Sequence, residues 1–185
     1  PTRRSSDLAT ALHLHYNTGR HVSSNGRDFA RLLDELVAAW PVPVTDLVIE
    51  GHSMGGLVTR SAIHLAQLQG LDWPRRLRAL AFLGTPHHGA PLERGGLLVD
   101  RLLGISPYVA PFARLGRSRS AGITDLRFGN LQDADWQGRD TQDQRHDDRA
   151  PTPLPAGVKT CLVAATTADH VDSLRSTVLG DGLVR

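Results

Sequence analysis

A mostly parallel sheet with flanking helices is the fold class this sequence predicts, on three observations. Strand-like and helix-like runs alternate over residues 29–83, a glycine-bounded serine sits between one such strand and the next helix, and an apolar run over residues 158–165 supplies a further strand. Strands alternating with helices in this way are the mark of a parallel α/β sheet.

Residues 11–16 (Ala11, Leu12, His13, Leu14, His15, Tyr16) alternate apolar and polar side chains with the period of a strand and end at the turn cluster Asn17-Thr18-Gly19-Arg20. His13 and His15 would share one face. With no Cys or carboxylate at ligand spacing they read as solvent-facing or hydrogen-bonded, and no metal site is expected. Asn25-Gly26 reads as a break. From Phe29 the positions Leu32, Leu33, Leu36 and Val37 follow helical spacing until Pro41 forbids continuation.

Leu47, Val48 and Ile49 form a short run of the kind buried on both faces of a parallel sheet. A helix is predicted from near Gly55 through Leu57, Val58, Ala62, Leu65 and Ala66 to Gly70, and residues 77–83 give the next strand, ended by Gly84-Thr85-Pro86. Over residues 89–155 the pattern degrades. Residues 95–103 suggest a short helix, two prolines interrupt 105–115, and 133–149 carry six aspartates and three arginines with Trp136 as the only large apolar residue. So long an irregular segment between strands reads as a cap or lid.

The length of 185 residues and hydrophobic content of 40% suit one domain. The single cysteine, Cys161, cannot form an internal disulfide and reads as a small core filler. No run approaches the roughly 20 apolar residues that span a bilayer, and no basic-then-apolar leader is seen. The compartment is left open, with the cytoplasm as default. Residues 1–8 resemble a translated sequencing adapter and are set aside as non-native, leaving 9–184 as the domain. Without Arg3, Arg4, Asp7 and Arg185 the 21 basic and 19 acidic residues fall to 18 each, so a basic nucleic-acid surface is not expected.

The chemistry centres on Gly51-His52-Ser53-Met54-Gly55-Gly56. A G-x-S-x-G pattern means little by itself. Between a strand and a helix it describes a nucleophile elbow, in which small residues let the two arms approach and lift the serine clear of the sheet. Gly51 and Gly55 are expected to meet that steric need, Ser53 to be the nucleophile, and the Met54 N–H to stabilise an oxyanion at the helix start. His52 should point away from the serine hydroxyl and pack or hydrogen-bond beneath the elbow.

At these residues the chain resembles the α/β-hydrolase esterases and lipases, in particular the GPI inositol-deacylase-like branch. The likeness is carried by Tyr16-Asn17-Thr18-Gly19-Arg20, the elbow, Leu83-Gly84-Thr85-Pro86-His87-His88-Gly89 and Gly180-Asp181-Gly182-Leu183-Val184. It implies a partial α/β-hydrolase fold, lacking both ends of the domain, with a cap insertion over about 89–155. In that fold the acid follows the serine and precedes the histidine. Asp181 is the expected acid, with Asp169 and Asp172 as rivals. None of the nine histidines follows Asp181, so the base is expected beyond residue 185; His170 would be the substitute within the chain. His87 and His88 follow the strand beside the elbow strand and are candidates for pocket lining.

The implied activity is hydrolysis of an ester or lipid-like small molecule without a cofactor, with the 185 residues alone inactive and the lid as a route to membrane-surface contact. An acyltransferase of the same fold is the rival reaction. A non-catalytic binding protein that retains the fold is the rival class.

Overall fold

The computed structural model describes residues 9–89, 120–139 and 149–164. Their principal elements, in chain order, are α1 (Val22–Ala39), β1 (Leu47–His52), α2 (Met54–Gln69), β2 (Leu77–Leu83), α3 (Ala121–Phe128) and β3 (Lys159–Val163), with short 3₁₀ turns at Trp73–Arg76 and Asp133–Asp135. The three strands form one parallel sheet in the order β1-β2-β3. Parallel neighbours need crossover connections, and α2 supplies the one between β1 and β2.

Register places Ile49 beside Leu80 and Gly51 beside Phe82, so these residues share the sheet face on which α1 and α2 pack. Ala30 and Leu33 of α1, Ala62, Ile63 and Ala66 of α2, and Trp73 complete this core. The Trp73 indole, fully buried, donates to the Ala30 carbonyl at 3.1 Å, which satisfies its polar atom in the interior. A second cluster of Val22, Met54, Leu57, Val58 and Leu131 lies toward the start of α2.

α1 begins seven residues before Phe29, so Asn25-Gly26 lies inside its first turns instead of breaking the chain. Two tertiary contacts override the turn preference of that pair. A methyl group placed on Gly26 would lie 2.6 Å from Ser61 Cβ, so glycine lets α1 approach α2, and the Asn25 side chain donates to the Asn17 carbonyl at 2.9 Å. The helix stops as expected, with Trp40 before Pro41 in an extended conformation.

Residues 11–16 do not form a strand. They pair with no strand among the described residues, and alternation without a ladder partner leaves backbone groups to water. His13 and His15 are exposed. The following turn does form, closed by Arg20 N–H to the Asn17 carbonyl at 3.1 Å.

β1 is buried at Ile49 and Gly51 only, and Val48 is 62% exposed, so the run is not covered on both faces among the described residues. β3 is exposed throughout, and Cys161 is exposed with it, contrary to a core role. Cys161 pairs in register with Ala81 at the outer strand of the described sheet, where no described element packs over it. The described parts of 89–155 belong to the packed body. α3 lies against α1, Leu131 is buried in the second core cluster, and Trp136 stacks on His21 with ring centroids 3.7 Å apart. The predicted helix at 95–103 lies outside the described residues.

Candidate active site

β1 runs into α2 with only Ser53 between them, and this single-residue connection forces an unusual backbone. Ser53 has φ 51° and ψ −123°, the one positive φ at a non-glycine among the described residues. Such a conformation costs roughly 1–3 kcal/mol and persists only where surrounding structure imposes it. Here the Ser53 N–H donates to the Leu83 carbonyl at 2.9 Å, extending the β1–β2 ladder, and its carbonyl accepts from Gly56 N–H at 3.1 Å, closing the helix start.

The steric need falls on Gly51 and Gly56. A methyl group on Gly51 would lie 2.7 Å from Gly56 Cα, and one on Gly56 would lie 2.6 Å from Thr85 Cγ2. Gly55 has no such constraint, because the nearest atom to a methyl there would be the Tyr16 hydroxyl oxygen at 3.7 Å. The expectation that Gly55 supplies the clearance is thus corrected to Gly56, since helix rotation turns the second residue of α2 away from β1 and the third toward it. Thr85, buried beneath Gly56, donates to the Gly51 carbonyl at 3.4 Å and ties the loop after β2 to the elbow.

Met54 is the first residue of α2, so its N–H has no helical partner four residues back, while its side chain is buried in the second core cluster. His52 is exposed. As the last residue of β1 it alternates away from buried Gly51, so it does not pack beneath the elbow as expected. Asp181 and its neighbours Gly180 and Gly182, the rivals Asp169 and Asp172, and His170 lie outside the described residues.

His87 and His88 diverge. His88 is exposed. His87 turns inward, edge-on to Phe82 with centroids 4.9 Å apart, and its Nδ1 lies 3.2 Å from Arg60 Nη1. A guanidinium only donates, so Nδ1 is the acceptor and Nε2 carries the hydrogen. Burial first, then the charges of Arg60 and His88, push its pKa down to about 4, which keeps the ring neutral at pH 7. Arg60 also donates to the Thr152 carbonyl at 2.6 Å, and Arg149 to the His87 carbonyl at 2.9 Å. His87 therefore links α2 to the loop after β2. Sequence spacing gave no sign of Arg60 as its partner, because the contact joins α2 to the loop after β2.

No group of three or more His, Cys, Asp or Glu among the described residues could hold a metal ion, and no described helix is long and apolar enough to cross a membrane.

A parallel sheet, a helix crossover and a positive-φ serine at the carboxyl end of a strand define the class as the α/β-hydrolase fold, of which the described residues form a part. Residues 28–105 match the family model described as the PGAP1-like alpha/beta domain. The mature form of the Bacillus licheniformis lipase BlEst2 is similar in structure, with a TM-score of 0.50 and 19% identity over 94% of this chain and 62% of that one. Its propeptide form gives a TM-score of 0.41 and 20% identity over 64% of this chain and 22% of that one. The chain thus spans less than two thirds of either form. No curated protein matches the sequence.

Proposed function

We propose that the chain carries the nucleophile of a serine hydrolase acting on carboxylic esters, with Ser53 forming an acyl-enzyme. The observation that carries the reading is the backbone at Ser53, held at φ 51° between a strand and a helix. A turn that strained is what lifts a hydroxyl clear of a sheet and turns the first helical amides toward it.

In this reading the Ser53 oxygen bonds to the ester carbonyl carbon, the carbonyl π pair moves onto oxygen, and the serine proton passes to an imidazole. The Met54 N–H stabilises the oxyanion, aided by the dipole of α2. Return of the electron pair expels the alcohol, which takes the imidazole's proton, and water repeats the sequence on the acyl-enzyme. Asp181 orients the imidazole. No histidine follows Asp181 in the 185 residues, so in this reading these residues alone turn over no ester. A lipid-like substrate is supported by the structural likeness to a lipase.

The test is turnover of a short-chain nitrophenyl ester by the intact protein. Ser53→Ala should abolish it, and Asp181→Asn should lower kcat by roughly 10⁴-fold with the fold retained. An unchanged rate in Asp181→Asn, with collapse in Asp169→Asn or Asp172→Asn, would move the acid to one of those positions.

A further inference from the structure

Tyr16 has no role in the mechanism above, yet its hydroxyl is aimed at the elbow. It lies 3.7 Å from the point a methyl group on Gly55 would occupy, over the second residue of α2, next to the helix start at which the Met54 amide sits. Among the described residues that hydroxyl makes no hydrogen bond. The ring is half-buried and packs on the cluster of Val22, Met54, Leu57 and Leu131. Its backbone is fixed as well. The next residue, Asn17, accepts from the Asn25 side chain at 2.9 Å and from Arg20 N–H at 3.1 Å, and the Gly19 carbonyl accepts from Gly122 N–H of α3 at 3.4 Å. A phenol anchored this firmly, with its polar tip unpaired among the described residues, is preorganised for a group that arrives with the substrate.

We propose that the Tyr16 hydroxyl is a side-chain donor of the oxyanion site, hydrogen-bonding the carbonyl oxygen of a carboxylic ester as Ser53 attacks it. The inference rests on the reading of Ser53 as nucleophile. Only bonding at the acyl carbon changes: the Ser53 oxygen–carbon bond forms, the carbonyl π pair moves to oxygen, and the serine proton goes to the imidazole base. Tyr16 and the Met54 amide keep their protons and donate hydrogen bonds throughout. Burial raises the Tyr16 pKa above the usual phenol value, so the group stays a neutral donor at working pH. In a site shielded from water such a donor stabilises developing charge without reorganising. The bare Cα of Gly55 leaves open the space between the phenol and the helix start.

The experiment compares wild type, Tyr16→Phe and Ser53→Ala in the intact protein, with the rates of wild type and Tyr16→Phe normalised to sites titrated by a fluorophosphonate and that of Ser53→Ala to protein concentration. Tyr16→Phe keeps the packed ring and removes only the donor. Its kcat should fall on the order of 10²-fold with KM changed little, and affinity for a short-chain trifluoromethyl ketone, whose oxyanion takes the same donors, should fall by a similar factor. A kcat within twofold of wild type while Ser53→Ala is inactive would overturn the inference and leave the Ser53 reading standing. A lower kcat with undiminished ketone affinity would also overturn it, by assigning Tyr16 a packing role. Turnover that survives in Ser53→Ala would overturn both.

Discussion

At Ser53 a strained backbone is held in place by what its neighbours lack. Gly51 and Gly56 bring the strand and helix arms into contact, with a methyl on Gly51 only 2.7 Å from Gly56 Cα, whereas a methyl on Gly55 would meet only the Tyr16 hydroxyl, at an unstrained 3.7 Å. Gly51→Ala and Gly56→Ala should therefore each destabilise by about 1–3 kcal/mol, the range for forcing a methyl into a packed interior. Gly55→Ala should cost less than about 0.5 kcal/mol, as expected for a change that meets no strained contact. Urea unfolding of the three variants checks this, and equal losses at all three would contradict it. The serine was legible in the sequence because the motif sits between two periodic runs. Which glycine bears the contact was not, since that depends on how α2 rotates over β1 and on Thr85, about thirty residues away in sequence.

At the scale of elements, α1 is capped by another helix. Its N-cap residue, His21, makes no side-chain cap of its own. Instead the Val22 N–H donates to Asp125 of α3 at 2.7 Å, and this fully buried carboxylate also meets the His21 ring at 3.0 Å and the Asn130 amide at 2.9 Å. Removing it leaves buried donors unpaired, so Asp125→Ala should lower stability by about 3 kcal/mol or more. Burial raises the Asp125 pKa in the folded state, an effect the Asn130, Val22 and His21 contacts only partly oppose. A raised folded pKa gives stability that is present below the unfolded value and lost as pH rises through the folded one, so the penalty of Asp125→Ala should be larger at pH 4 than at pH 7. Chemical denaturation at the two pH values measures it, and a larger loss at pH 7 would reverse the assignment. Little of this was legible in sequence. Asn25-Gly26 has the local chemistry of a turn, and what keeps it helical comes from α2, residue 17 and a carboxylate about a hundred residues further on.

Across the whole molecule, the strands at 47–52, 77–83 and 159–163 and the helix after the serine follow the sequence closely, because each is a continuous apolar or amphipathic run with glycine or proline at its ends. Burial was less legible. A run such as Leu47-Val48-Ile49 announces a strand, but how many of its faces are covered depends on partners elsewhere in the chain, and Val48, Leu162 and Val163 are exposed. Residues 11–16 have strand periodicity and no strand to pair with, so periodicity there misled. The strand-to-helix turn at Ser53 was legible in sequence, where local order suffices, and the approach of Tyr16 to Gly55 less so, because it arises from the packing of a loop on α1 and α3. The central claim is that Ser53 is an activated nucleophile, and covalent labelling tests it most directly. The intact protein treated with a fluorophosphonate should carry a single adduct that peptide mass analysis places on Ser53 and that Ser53→Ala loses. An adduct on another residue, or undiminished labelling of Ser53→Ala, would contradict the account.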